Sequence, residues 1–369
     1  PPPIAYLCGK EYSTMINLNL SDYNFLQEIP SSFTITDVQD TAKVTVFING
    51  TAVYTTSLHQ YNEVVTFYDL RSIMEQHMRD NNITTALLKI TAEKTGGTDT
   101  YDGDNYIIFC SRHHAVDIPE NFFMWRFLTS RTYYVIPRYA YQRLTFFSDG
   151  QNEFTAFAEC VFLKDNVRRV IRITLNTFQS GHPYEGHILS HPRQMSLLAR
   201  RQTGEDCGKL LAYTIHADRR SMTYFVTDEE PEVTLCFRNA YNAEEYAYVF
   251  GTTLVKTTVE RQEAVCQERH SFYNQSVQRR HEVTTVPLSH EQAQWYNELF
   301  ESHKVTAEVD QGDNDAVPVL VSDITSEISN RPDEKIRMKF SWWFDDNAEW
   351  IVSDPSTSVF NNIYTDTFK

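Results

Sequence analysis

The chain has 369 residues, 41% hydrophobic and 13% aromatic, and its 33 Lys and Arg stand against 49 Asp and Glu for a net charge of −16. Such apolar content excludes a disordered chain, and 12 glycines and 13 prolines are too few for a collagen-like or low-complexity one. No apolar run reaches the roughly 18 residues of a membrane span, and the arginine pairs at 168–169, 200–201, 219–220 and 279–280 are scattered through an acidic background, so nucleic acid is not expected as a main partner.

The chain opens on Pro1-Pro2-Pro3 without an initiator methionine, as a chain trimmed at its front would. A strand-like run at 14–20 leads to "AKVTVFINGTAVYTTSL" (42–58), which alternates apolar and polar residues on both sides of Asn49-Gly50. Asn-Gly favours the two-residue turn with positive φ at both positions, so a hairpin is predicted. "DLRSIMEQHM" then carries a helical stripe, Leu70, Ile73, Met74, His77 and Met78, predicting a helix over 69–79 with Asp69 as N-cap. Strands are predicted at 63–68, 84–93 and 105–112. "DTYDGDN" (99–105) between them reads as an acidic hairpin tip, with calcium at Asp99, Asp102 and Asp104 the lesser alternative.

Around Pro119, "AVDIPENFFMWRFLTSR" changes character and reads as a connector. "YQRLTFFSDGQNEFTAFAECVFL" (141–163) predicts a second hairpin, around Asp149-Gly150. Further strands are expected at 169–175, 210–216 and 222–227. In "GHPYEGHILSHP", His187 and His191 have the four-residue spacing of zinc ligands, with His182 nearby. Pro183, Gly186 and Pro192 argue against the helix that spacing needs, so a loop with exposed histidines is expected.

In the last third, strands are predicted at 232–238, 246–258, 281–286, 304–309, 317–322 and 336–344. Ser289 and Gln292 form a capping box that predicts a helix over 289–302. "DQGDND" (310–315) is a second acidic turn. Within "FRNAYNAEEYAYVFG" (237–251), Glu244 and Glu245 stand side by side among aromatics. Glycosidase carboxylates converge on one bond from about 5–10 Å apart, whereas neighbours on a strand point to opposite faces. The pair is therefore expected to serve a turn rather than catalysis. No G-x-S-x-G, phosphate-binding loop or H-E-x-x-H occurs. The six cysteines, Cys8, Cys110, Cys160, Cys207, Cys236 and Cys266, form no CxxC, which favours a reducing compartment and leaves long-range disulfides open.

The fold class expected is mainly β: multi-domain antiparallel β-sandwiches with one short helix in each of the first and last domains. The domains are expected at 1–116, 117–230 and 231–369.

The order of elements carries a resemblance. "VTVFING", "VYTTSL" and "VVTFYDLRSIM" follow one another in the first third. Later come "VTLCFRNAYN", an aromatic strand ending at Gly251, the long polar strand pair "TLVKTTVERQEAVCQER" and "RRHEVTTVPLS", the helix "HEQAQWYNELFES", and "KIRMKFSWWF". This order, over 14–112 and 232–344, resembles tail-associated structural proteins, distal-tail or baseplate-like, of Bacteroidales prophages. The resemblance implies a non-enzymatic, virion-associated subunit that needs no cofactor. It would be made in the bacterial cytoplasm and assemble with itself and with other tail or baseplate proteins. The turn at Tyr241, Glu244 and Glu245 is then expected to touch a neighbouring subunit, so that reversing both charges disturbs assembly and spares folding. The alternative is a secreted or surface glycan-binding protein using the rings of Trp125, Trp342 and Trp343.

Overall fold

The structure is a computed structural model that describes residues 16, 18–112, 118–266, 269–308, 316–325, 328, 331 and 334–345. The fold is mainly β, with several antiparallel sheets and, among the described residues, four α-helices. It divides into two compact units, 1–123 and 124–369.

In the first unit the strands are β1 (Tyr23–Phe25), β2 (Phe33–Ile35), β3 (Thr41–Ile48), β4 (Thr51–His59), β5 (Val65–Phe67), β6 (Thr85–Lys94) and β7 (Gly97–Ile108), with helix α1 (Leu70–Asp80) before β6. Five form a sheet in the order β1-β7-β6-β3-β4, and β2 pairs with β5. The predicted hairpin is present: Asn49 and Gly50 have φ of 49° and 78°, the left-handed values that a two-residue β3–β4 turn needs. Val44, Val46, Leu88 and Ile90 from the sheet share a core with Phe33, Ile35, Val65, Phe67 and the Leu70, Met74 and Met78 stripe of α1. The 14–20 run is not a strand where it is described. The acidic 99–105 stretch is no hairpin tip. It lies within β7, where Asp99 pairs with Lys94 at 2.8 Å and Asp102 with Lys89 at 2.5 Å across the β6–β7 ladder. The turn falls earlier, at Gly96, whose φ is 101°.

Helix α2 (Pro119–Trp125) stands where a connector was expected and spans the division between the units. The second unit continues with β8 (Tyr133–Pro137), β9 (Gln142–Ser148), β10 (Phe154–Lys164), β11 (Val167–Phe178), β12 (Tyr184–Ser190), helix α3 (Pro192–Thr203), β13 (Lys209–Ala217) and β14 (Arg220–Thr227). It ends with β15 (Val233–Arg238), β16 (Glu244–Val249), β17 (Gly251–Cys266), β18 (Arg269–Thr285), helix α4 (His290–Glu301), β19 (Val305–Glu308), β20 (Ala316–Thr325) and β21 (Lys339–Phe344). Its sheets run β11-β10-β13-β14-β8, β12-β9 and β16-β15-β19-β20-β21-β18-β17. Two pairs, β1–β7 and β8–β14, are parallel.

The second predicted hairpin does not form. β9 pairs with β12, and β10 pairs with β11 and β13, so residues 149–153 carry the chain from one sheet to another. Partner choice is decided by packing: Phe146 of β9 lies over Gly186 of β12, where any Cβ would come within 2.3 Å of the ring. Nor is the histidine stretch a loop. His187 sits within β12, and His191 caps α3, its Nδ1 accepting from Arg193 N at 3.2 Å.

One apolar core joins residues on both sides of the expected 230/231 boundary, which falls inside the second unit. Tyr134, Phe146, Phe162, Tyr213 and Tyr224 belong to the same cluster as Leu235, Phe237, Trp295, Leu299 and Phe340. Each unit carries buried cysteines, Cys110 in the first and Cys160 and Cys207 in the second. Burial, reinforced by nearby Cys207, pushes the Cys160 thiol up to about 12.

Candidate functional site

The β15–β16 turn is built from its asparagines. Asn239 Oδ1 accepts from Tyr241 N at 2.9 Å and Ala243 N at 3.0 Å, and Asn242 adopts the left-handed conformation, φ 59°. Asparagine suits both tasks, having a short side-chain acceptor and a tolerance of positive φ. Glu244 and Glu245 then leave on opposite faces, as strand alternation requires. Glu244 is partly exposed, 3.5 Å from the Arg238 guanidinium, and accepts from the Tyr246 hydroxyl at 3.1 Å.

Glu245 turns inward and is 3% exposed. Its Oε1 accepts from Asn239 Nδ2 at 2.6 Å and its Oε2 from Trp295 Nε1 of α4 at 2.5 Å. Asn239 Nδ2 also reaches Leu128 O at 2.7 Å, and Glu298 of α4 accepts from Ala240 N at 3.1 Å. Buried Arg131 lies 4.3 Å from the Trp295 ring and 4.4 Å from the Tyr134 ring. The Tyr134 phenol is held well above its usual pKa, first by burial and then by the Glu245 charge. A low-dielectric interior makes each of these charges costly alone and strongly held when partnered. The cluster therefore ties the turn to α4 and to the 128–134 segment.

This placement corrects the expected subunit contact. Tyr241 is 4% exposed and Glu245 is enclosed, so neither side chain is available to a neighbour. Reversing the Glu245 charge would strike the fold itself.

The three tryptophans fare differently. Trp125 is 53% exposed, with the Arg219 guanidinium 5.3 Å from its ring. Trp342 is buried, stacked on His281 at 4.1 Å between ring centroids. Trp343 is half-buried under Arg280, 4.5 Å away. A sugar platform needs an open ring face, and Trp342 has none to offer.

Among the described residues no three His, Cys, Asp or Glu side chains converge as metal ligands. His182 lies in the loop before β12, while His187 pairs with Glu185 at 3.2 Å and bonds Thr145 Oγ1 at 3.3 Å. Burial, followed by the Arg143 charge, lowers the His187 pKa. Asp310, Asp313 and Asp315 of the second acidic turn lie outside the described residues.

The feature of largest extent is the β17–β18 hairpin, with strands of 16 and 17 residues against about 5–6 in an ordinary strand. β18 pairs with β21 only from His281 to Thr284, and β17 is the sheet's edge. The rungs from Lys256–Arg280 to Cys266–Arg269 thus form a two-stranded arm, roughly 35 Å long at the usual rise per residue. Its described side chains are largely exposed on both faces, with Phe272 62% exposed and Val259 also open, and at its base Leu254 is 65% exposed and Val255 open. At the base, Gly251 approaches its partner strand so closely that a Cβ would sit 2.1 Å from Thr284 O. The sequence showed this arm as a long polar strand pair, although the strand prediction ran through 246–258 without the break at Phe250–Gly251.

No helix among the described residues is long and apolar enough to cross a membrane. No protein-family model matches the sequence, and no curated protein matches it. Among solved structures, the extracellular region of plexin A4, domains 1 to 8, is similar at 8% identity and a TM-score of 0.21, over 86% of this chain and 35% of that one. The chain thus spans about a third of that protein's length, and the score is too low to guide fold or role. The functional reading stands on the chain's own geometry, above all on the projecting β17–β18 arm.

Proposed function

We propose that the chain is a non-enzymatic structural subunit of a phage-like tail or baseplate that works through protein–protein contacts. One observation carries this reading: the β17–β18 arm is a two-stranded ribbon that no other described element supports, with Val259 and Phe272 exposed along it and Leu254 and Val255 exposed at its base. Two strands alone are marginally stable in water, and an open edge with apolar side chains is a template for another chain. Such an arm fits a protein completed by its neighbours. The order of elements in the sequence, which resembles tail-associated proteins, points the same way.

The test is mass spectrometry of purified particles after prophage induction. The chain is expected among the particle proteins. Its consistent absence while neighbouring structural proteins are present would overturn the role.

A further inference from the structure

Resting on that assembly role, we infer that the β17 edge is the contact and that its occupant is β17 of a second copy, antiparallel about a two-fold axis through Thr258. Among the described residues β17 has one neighbour, β18, and it runs regularly from Thr252 to Gln262. This stretch holds no proline and no bulge, and the charges that guard it, Lys256, Glu260 and Arg261, turn away strands that do not match them. Main-chain groups along it are arranged to continue the ladder.

The sequence selects the partner and the register. In a two-fold antiparallel pair centred on Thr258, residue numbers opposite one another add to a constant. Lys256, which within its own chain pairs with Glu282, then faces Glu260 of the second copy, and Glu260 faces its Lys256, giving two further opposite-charge pairs by symmetry. Thr257 faces Val259, and Val255 faces Arg261 and lies diagonal to Val259 of the second copy, so the valines of both copies gather on one face. A register one residue away would set Lys256 against Arg261, a like pair, or against Val259, and either shift carries Val255 to the face of Glu260. The other edge of the arm lacks this complementarity. Beyond its rungs with β21, β18 carries Arg269, Arg279 and Arg280 without an acid, so pairing with itself would set cations side by side. The product is a four-stranded ribbon, β18-β17-β17-β18, in which each arm acquires the third and fourth strands that a stable sheet needs.

The test measures the oligomeric state of the full chain by sedimentation across concentration. Wild type is expected to form a dimer. Lys256→Glu and Glu260→Lys should each weaken it about tenfold or more, because each change turns two attractive cross-strand pairs into repulsive ones. The double exchange, K256E with E260K, should restore it. Thr258→Cys should couple to its own copy through a short bifunctional thiol reagent. Thr253→Cys, ten residues from its twin in this register, should not, with the unmodified chain as control. Circular-dichroism melts confirm that the exposed substitutions leave the fold in place. A monomer at all concentrations overturns the inference, as does a dimer indifferent to the charge exchange or coupled equally at 253 and 258. This failure is separable from failure of the assembly role. A chain that enters particles equally well with Lys256→Glu keeps the role and loses the pairing. A charge-sensitive dimer absent from particles keeps the pairing and loses the role.

Discussion

Two hairpins of the same seven-stranded sheet end in opposite ways. The β15–β16 turn closes on itself: Asn239, Glu245, Trp295 and Glu298 bind its polar groups inside the unit. The β17–β18 arm instead continues past the sheet with threonines, charges and apolar side chains all facing out. Both are strand–turn–strand segments with glutamates and aromatics. What separates them is whether something later in the chain returns to cover them, as α4 does for the first and no described element does for the second. Polar residues at a covered turn specify the fold, whereas those on an uncovered ribbon are free to specify a partner.

The comparison breaks first at Glu245. Glu245→Lys should destabilise the protein by about 3–5 kcal/mol, because it leaves the Trp295 and Asn239 donors facing a buried cation beside Arg131. Glu244→Lys, on the exposed side and paired only with Arg238 and Tyr246, should cost under about 1 kcal/mol. Urea unfolding of both variants checks the contrast, and equal effects would deny that Glu245 is locked. Next is the hinge between the two behaviours. Gly251→Val forces a side chain into Thr284 O and should cost about 1–3 kcal/mol, read as a lower melting temperature.

A smaller effect concerns pH. His191 must be neutral for its Nδ1 to accept from Arg193 N, and burial, then the Arg193 charge, lowers its pKa in the folded chain. The unfolded chain therefore takes up the proton first as pH falls below the ordinary histidine value. Stability is fully present above that value and is lost on acidification until the folded group also titrates. About 1 kcal/mol is expected, the scale of one helix cap. His191→Asn keeps the acceptor and should flatten that part of the slope in melts from pH 7.5 to 5. The remaining slope belongs to groups such as His187 and His281, whose pKa values burial also lowers. Smallest of all is the effect on monomer stability of Leu254→Ser, Val259→Ser and Phe272→Ser, each within about 0.5 kcal/mol because the side chains are already in water. If the arm is the assembly surface, these same changes should abolish incorporation into particles.

What the sequence disclosed followed the range of the interactions involved. The Asn49-Gly50 hairpin, the α1 stripe and the Ser289–Gln292 capping box are local and were legible. Asp149-Gly150 has the same turn chemistry and misled, because β9 takes its partner from β12, some forty residues on. The two missed helices share a cause. Pro119 and Pro192 read as breaks, yet each is the first residue of a helix, where a missing N–H costs nothing and the fixed φ is already helical. Alternation placed Glu244 and Glu245 on opposite faces but could not say which face was inside. That depended on Trp295, fifty residues later.

The buried cysteines have a practical consequence. A thiol reagent attacks the thiolate, and Cys160 is both enclosed and pushed up to about 12, so it reacts only when its surroundings open. Cys110 is in the first unit and Cys160 in the second, each inside its own compact body. Their labelling rates are therefore two separate clocks in one molecule. Pulsed alkylation followed by peptide mapping would time the opening of each unit independently and show whether occupying the arm slows one clock and leaves the other running at its old rate.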